Sequence, residues 1–318
     1  MKLTSTPHRS PTAAVLAALL LHAGLVGSTE LGGSSYPVGV ELGYGDMLPP
    51  GLYNLAYYSR SQAASLKGES GQDLGWARYR LTADTISYRL QHVWDARLLG
   101  ASVESALVLP FPAIDLERQV STTLPDASGS RFGLTDPLLV PLRLAWQGEA
   151  INQSVALEVV LPLGAYDAAA RVNTGRNYWQ FAPAYALSYR PSAETTLGFK
   201  LRYGINTENS ATRYRSGNEL TLEYSAGYKL TAATSLGIQG YLFRQTTDDE
   251  LNGLATSASN GRLVGSGIGN RGSANAIGPF LSYRISPRFA ITAKYQHDFD
   301  VRNRGEFSRF WLQTLLPF

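Results

Sequence analysis

The stretch Tyr178-Trp179-Gln180-Phe181-Ala182-Pro183-Ala184-Tyr185-Ala186-Leu187-Ser188-Tyr189-Arg190 decides the fold. Trp179, Phe181, Pro183, Tyr185, Leu187 and Tyr189 share one parity, while Gln180, Ala182, Ala184, Ala186 and Ser188 share the other. Side chains of period two stand on opposite faces of a β-strand. The next segment sets Leu197, Phe199, Leu201, Tyr203 and Ile205 against Gly198, Lys200, Arg202 and Gly204. A third sets Leu220, Leu222, Tyr224 and Tyr228 against Glu219, Thr221, Glu223, Ser225 and Lys229. In each, one face is apolar and the other small or charged.

Working outward, the same period predicts strands near residues 52–58, 85–94, 101–111, 138–147, 151–161, 178–190, 195–205, 219–229, 235–245, 274–284, 288–299 and 307–318. Most have the roughly 9 to 11 residues that a tilted membrane-crossing strand needs, against about 5 to 6 in a globular domain. The connections 95–100, 148–150, 191–194, 230–234 and 285–287 are short and those between them mostly long. An up-and-down barrel gathers all tight turns at one end and all long loops at the other. Closure is also how a sheet pairs every backbone polar group in lipid. The expected fold is therefore all-β: an antiparallel up-and-down transmembrane β-barrel of about 12 strands over residues 52–318, with long extracellular loops and short periplasmic turns.

Composition agrees. The 318 residues include 31 glycines, 18 tyrosines, 11 phenylalanines, 5 tryptophans and no cysteine. No run reaches the roughly 20 apolar residues of a spanning helix. Lys+Arg 28 against Asp+Glu 25, unclustered, argues against nucleic acid as a partner. Lys2, His8 and Arg9, then the apolar run Ala13 to Leu21, then Gly24, Gly27 and Ser28 read as an export signal peptide over residues 1–28, cleaved near its end. Residues 29–51, rich in glycine and proline with no β period, read as a periplasmic or plug segment. Phe318, ending an apolar-parity strand, reads as the assembly signal for the barrel-assembly machinery, with Pro317 departing from the usual pattern.

The polar faces line the interior of such a barrel. They supply the lumen-lining candidates Arg89, Arg143, Glu158, Lys200, Arg202, Glu219, Glu223 and Lys294, of mixed sign. Lys200 or Arg202 facing Glu219 or Glu223 across neighbouring strands would brace the wall without selecting strongly for one ion. Catalytic chemistry finds little support. His92 and His297 share parity with apolar neighbours, and no serine stands two residues from either. Asp248-Asp249-Glu250 lacks calcium-loop spacing, so neither a metal nor a cofactor is expected. Asn152-Gln153-Ser154 matches a glycosylation sequon but falls inside an expected spanning strand.

Short motifs at the strand ends resemble the outer-membrane transporter family of the meta-pathway of phenol degradation (SphA-like). They are Tyr36-Pro37-Val38-Gly39, Leu48-Pro49-Pro50-Gly51-Leu52-Tyr53, Gly175-Arg176-Asn177-Tyr178-Trp179, Asn206-Thr207-Glu208-Asn209 with Ala211-Thr212, and Tyr214-Arg215-Ser216-Gly217. Further on come Gly240-Tyr241, Arg244-Gln245, Thr247-Asp248-Asp249, Ile277-Gly278-Pro279 and Arg302-Asn303-Arg304, leading to Trp311. The loop Ser257 to Gly272 and the Pro317-Phe318 ending depart from it. The resemblance implies a rim motif of Arg176, Asn177, Trp179, Asn206, Asn209, Tyr214, Gln245 and Asp248, with an aromatic entrance near Tyr178, Trp179 and Tyr214. It implies a passive outer-membrane channel, set in outer-membrane lipid, for a small hydrophobic or aromatic solute. The alternatives are an outer-membrane hydrolase and a non-conducting structural barrel.

Overall fold

The computed structural model describes residues 33–42, 44–255, 271–286 and 289–316. The signal-peptide reading of residues 1–28 and the assembly-signal reading of Phe318 lie outside them. Sixteen strands follow in order: β1 Gly51–Leu66, β2 Arg78–Leu98, β3 Ala101–Gln119, β4 Gly129–Phe132, β5 Leu138–Gln147, β6 Ile151–Val160, β7 Gln180–Tyr189, β8 Thr195–Asn206, β9 Tyr214–Arg215, β10 Glu219–Lys229, β11 Thr234–Gln245, β12 Glu250–Leu251, β13 Leu254–Ala255, β14 Ser273–Ser286, β15 Phe289–Arg302 and β16 Gly305–Leu316. Twelve of them (all but β4, β9, β12 and β13) pair antiparallel in chain order, and β1 pairs with β16 to close the barrel. All the tight turns but the one between β15 and β16 gather at one end. In the β2–β3 hairpin, Leu99 (φ 53°) and Gly100 (φ 76°) both take positive φ, the geometry that lets a two-residue turn follow strand twist.

The barrel is inverted relative to a soluble protein. Leu197, Leu201 and Ile205 are exposed on the outside of β8, as are Ile238 and Leu242 on β11 and Phe310 and Leu312 on β16. The inward parity buries Lys200, Arg202, Glu219, Thr221, Glu223, Gln239, Lys294 and Gln296. Charge inside and grease outside is stable only where the outer solvent is hydrocarbon. Gly227 and Gly237 face each other on β10 and β11, and the Phe280 ring covers both, at 3.0 and 2.6 Å from where a Cβ would stand.

Three strands exceed their predicted lengths by eight residues or more. β1 has 16 residues, β2 21 and β3 19, and all run past the apolar belt at the long-loop end. There the face polarity reverses: Arg60, Arg80, Asp84 and Glu117 point outward and pair as Arg60–Asp84 and Arg80–Glu117, both at 3.3 Å. Tyr79, Leu81, Ile114 and Leu116 point inward. A search for outward apolar residues stops where the outside turns to water, which explains the truncated predictions. The alternation of short and long connections also breaks once, because β15 and β16 join through Asn303 and Arg304 alone.

Candidate functional site

The described part of the amino-terminal segment runs the whole length of the lumen. At the long-loop end Ser34 Oγ donates to Glu219 Oε2 (2.6 Å) and Ser35 Oγ to the Tyr178 hydroxyl (2.9 Å). Midway, Gly39 N donates to Glu223 Oε1 (2.7 Å), and Gly39 O accepts from Lys294 Nζ (2.9 Å) and Gln296 Nε2 (3.0 Å). Gly39 has φ 83°, and a Cβ there would stand 2.3 Å from Gln296 Nε2, so the crossing needs glycine. At the short-turn end Arg143 Nη2 donates to Tyr44 O (2.8 Å) and Asp46 O (2.7 Å), and Gly45 N to Ser188 Oγ (3.0 Å). The small inward face of β7 makes room for this passage.

Glu41 is the segment's charged anchor. Its carboxylate meets Arg89 Nη1 on β2 at 2.6 Å and Lys200 Nζ on β8 at 3.5 Å. Arg89 Nη2 and Arg143 Nη1 share the fully buried Glu104, each at 3.1 Å. Glu158 takes Lys200 Nζ at 2.6 Å and Arg202 Nε at 2.7 Å. These ion pairs replace the expected cross-strand ones. Lys200 and Arg202 turn toward β6, two strands away, because Glu219 and Glu223 are engaged by the segment's Ser34 and Gly39. All eight lumen-lining candidates are thus placed inside, most of them tied to the segment or to one another.

The rim candidates are structural ties. Asp136, missed in the sequence, accepts from Arg176 N (2.7 Å) and Gly164 N (2.9 Å). Asn177 Nδ2 donates to Asn209 Oδ1 (2.8 Å), Asn206 Nδ2 to Gly217 O (2.9 Å), and Asp248 accepts from Arg271 Nε (2.6 Å). The aromatic entrance does not form. Tyr178 and Tyr214 are buried in these ties, and Trp179 faces outward, stacked on Phe181 with centroids 6.0 Å apart. The short strands β9, β12 and β13 knit two long loops together around Asp249, which accepts from the Tyr214 hydroxyl, Gly217 N (2.8 Å) and Gln245 Nε2 (2.7 Å).

Burial pushes the Asp249 carboxyl up to about 6 from an ordinary value of 3.8. The folded loops therefore bind the proton more tightly than the unfolded ones. The resulting stability is fully present below pH ~4 and is lost as pH rises through about 6. Hydrogen-exchange protection of the Gly217 amide should fall by tens-fold between pH 4.5 and pH 7.5, about what a two-unit shift allows. In Asp249→Asn this pH dependence should vanish; a dependence of equal size there would put its cause elsewhere.

Between the segment and the wall of β1, β2, β3 and β16 lies a cavity of about 360 Å³. Tyr57, Trp76, Leu81, Ile114, Leu116 and Phe307 give it an apolar lining, relieved by Ser59, Ser61, Thr85 and Ser87. Glu41, Arg89, Val108 and Leu138 separate it from a second cavity of about 30 Å³ toward the short-turn end. The lining was not singled out in the sequence; its signal is the reversed parity of residues 79–83 and 112–116. The histidines lie on the wall: His92 stacks on Trp94 at 4.2 Å, and His297 Nδ1 lies 2.9 Å from Ser308 Oγ on the adjacent strand. That serine comes from strand register, which sequence spacing could not reveal.

The family whose description reads "Putative MetA-pathway of phenol degradation" matches residues 63–314, nearly the whole barrel. The chain belongs to this family. The phenol-degradation family match spans both the reversed-parity strands and the last pair, β15 and β16. Among solved structures, an outer membrane channel from Pseudomonas putida F1 aligns with TM-score 0.75 at 18% identity, over 88% of this chain and 100% of that one. It establishes the closed barrel fold. The translocator domain of autotransporter NalP from Neisseria meningitidis aligns at TM-score 0.49 and 11% identity, over 96% of this chain and 97% of that one. The CymD monoaromatic hydrocarbon channel aligns at 0.44 and 10%, over 85% and 89%. No curated protein matches the sequence.

Proposed function

We propose that the protein is an outer-membrane channel for passive uptake of small hydrophobic or aromatic compounds, reached after export and signal-peptide cleavage, and that it is not an enzyme. The observation that carries this is the cavity of about 360 Å³, apolar-lined and set beside the charged midsection of the lumen, where Glu158, Lys200, Arg202, Glu223 and Lys294 are buried. Pockets for small molecules start near 300 Å³, so this one suits a single ring and its substituents. The family's description, and the printed name of the monoaromatic hydrocarbon channel, support the aromatic class. Passage needs no cofactor. The solute would leave the cavity past Glu41 and Arg89, so the segment must shift for each passage.

Vesicles with a lipopolysaccharide outer leaflet, which slows apolar solutes that plain phospholipid passes, loaded with a benzyl alcohol-oxidising enzyme, should consume external benzyl alcohol several-fold faster with the protein than without it. Rates equal to the control would sink the channel reading. A non-conducting structural barrel is the second reading, favoured by the segment's hydrogen bonds along the whole lumen, and equal rates would support it. A lipid-facing hydrolase would use His297 and Ser308. Catalysis of that kind also needs a group that orients the histidine. His297→Ala should leave ester hydrolysis at background.

A further inference from the structure

The hydroxyls in the large cavity form one strip across two strands. Ser59 and Ser61 point inward from β1, and Thr85 and Ser87 from β2. Register sets Ser59 directly opposite Thr85, with the Tyr57–Ser87 pair one step toward the short turns and the Ser61–Ala83 pair one step toward the long loops. Side chains opposite each other in this way have Cβ atoms about 4.5–5.5 Å apart, so the Ser59 and Thr85 hydroxyls can share one guest atom. None of the four hydroxyls has a hydrogen-bond partner among the described residues, although Ser59 is only 5% exposed. Their oxygens face the cavity, whereas Trp76 Nε1 and Arg304 Nε and Nη1 are sealed in the wall beyond the reach of any occupant.

The surroundings of the strip fix the kind of guest. On the β3 side Thr85 and Ser87 stand beside Pro112 and Pro110, whose rings offer no donor. Toward the long loops the cavity is apolar, between Leu81, Ile114, Leu116 and Phe307. Toward the short turns it closes on Arg89, whose Nη1 and Nη2 meet Glu41 (2.6 Å) and Glu104 (3.1 Å), and Arg309 Nη1 meets Asp298 (2.6 Å). These cations are already neutralised, so an anionic guest gains no partner from them and meets the Glu41 carboxylate at the floor. A hydrocarbon guest would displace water from the hydroxyls and leave them unpaired, which costs more than a made hydrogen bond contributes. A guest hydroxyl both donates and accepts, as Ser59 and Thr85 do, and so pairs with them whichever way they rotate.

We propose that the strip centred on Ser59 and Thr85 is a hydroxyl-recognition site, which selects neutral solutes carrying a hydroxyl on an apolar body the size of a benzene ring. The guest hydroxyl exchanges hydrogen bonds with Ser59 and Thr85, and its ring lies toward Leu81, Ile114, Leu116 and Phe307. The site rests on the channel reading and narrows it, from hydrophobic or aromatic solutes in general to their hydroxylated members. Selectivity then resides in two strands of the wall, apart from the segment that blocks the lumen.

The test is calorimetric titration of the full-length protein in detergent with benzyl alcohol, toluene and benzoate. Ser59→Ala and Thr85→Val remove the hydroxyls with little change of volume, and the detergent takes up each solute alike for every variant, so uptake cancels between variants. The double variant should bind benzyl alcohol about tenfold more weakly than wild type, and toluene as tightly or more tightly, because an unpaired hydroxyl has gone. Thr82→Val, on the outer face of β2, should change neither. Heat-shifted gel mobility confirms that each variant is a closed barrel. Equal losses for benzyl alcohol and toluene in the double variant, or no loss for benzyl alcohol, overturn the site. Benzoate bound by wild type more tightly than benzyl alcohol overturns its preference for a neutral guest. Benzyl alcohol flux through a protein whose alcohol binding ignores Ser59 and Thr85 would fail this inference and leave the channel standing. Hydroxyl-dependent binding without flux of any aromatic would do the reverse.

Discussion

Removing residues 33–46 is expected to convert a nearly closed barrel into an open pore, with single-channel conductance in planar bilayers rising several-fold or more. The segment occupies the lumen from Ser34, beside Glu219, to Asp46, under Arg143. Without it the inward faces of β6, β8, β10 and β15 would still carry Glu158, Lys200, Arg202, Glu223 and Lys294, and water would solvate them. The wall itself closes by backbone pairing of β1 with β16, so the shortened chain should still show the heat-shifted mobility of a closed barrel. A milder form of the experiment is Glu41→Gln. The carboxylate bridges Arg89 and Lys200, but each cation keeps another partner, Glu104 or Glu158. Its loss therefore leaves no buried charge alone, and the cost sits below the 3–5 kcal/mol of an orphaned pair. About 2 kcal/mol would raise the displaced fraction of the segment some thirtyfold, visible as frequent brief openings. Equal conductance in the deletion and in wild type would show that the segment does not govern passage.

How far the sequence discloses this architecture depends on what surrounds each strand. Phe199, Leu201 and Tyr203 stand out against Lys200 and Arg202 because lipid lies on one side and a charged lumen on the other. Ser59, Ser61 and Ala63 carry no such contrast. They lie where β1 has left the hydrocarbon, so Arg60 and Gln62 face water and the inward side chains face a cavity. The same reversal at Tyr79, Leu81, Ile114 and Leu116 shortened the strands in prediction and concealed the cavity, whose lining is the apolar inward face of those extensions. Charge partners were legible as a class and not as pairs. That Lys200 joins Glu158 rather than Glu223 follows from a crossing segment whose Gly39 amide holds Glu223, and no pattern within the strands carries that information. At Trp179 two readings of the sequence conflict: parity sets it on the apolar face with Phe181, where it lies, while the motif at the strand end fixes only a position along the strand and implied an entrance.

Removing the Glu158 carboxylate from the wall carries a large expected stability effect. Its two oxygens hold Lys200 Nζ at 2.6 Å and Arg202 Nε at 2.7 Å, and Arg202 is only 1% exposed. In Glu158→Ala, Arg202 would keep one hydrogen bond, from Nη2 to Gln180 Oε1 at 2.7 Å, and no carboxylate. Lys200 would keep Glu41 at 3.5 Å and the Tyr36 hydroxyl at 3.0 Å. Orphaning a buried charge costs about 3–5 kcal/mol, which denaturant titration of the barrel should register as a large fall in midpoint. Glu158→Gln should recover only part of it, since an amide oxygen accepts from one cation while its NH2 group faces the other. Asp84→Ala provides the contrast, because the Arg60–Asp84 pair at 3.3 Å is exposed to water and is worth about 0–1 kcal/mol. If Glu158→Ala and Asp84→Ala shift the midpoint equally, the buried network is no stronger than a surface pair. The segment would then be held by its hydrogen bonds rather than by its ion pairs, and Glu41→Gln should be silent in the conductance record as well.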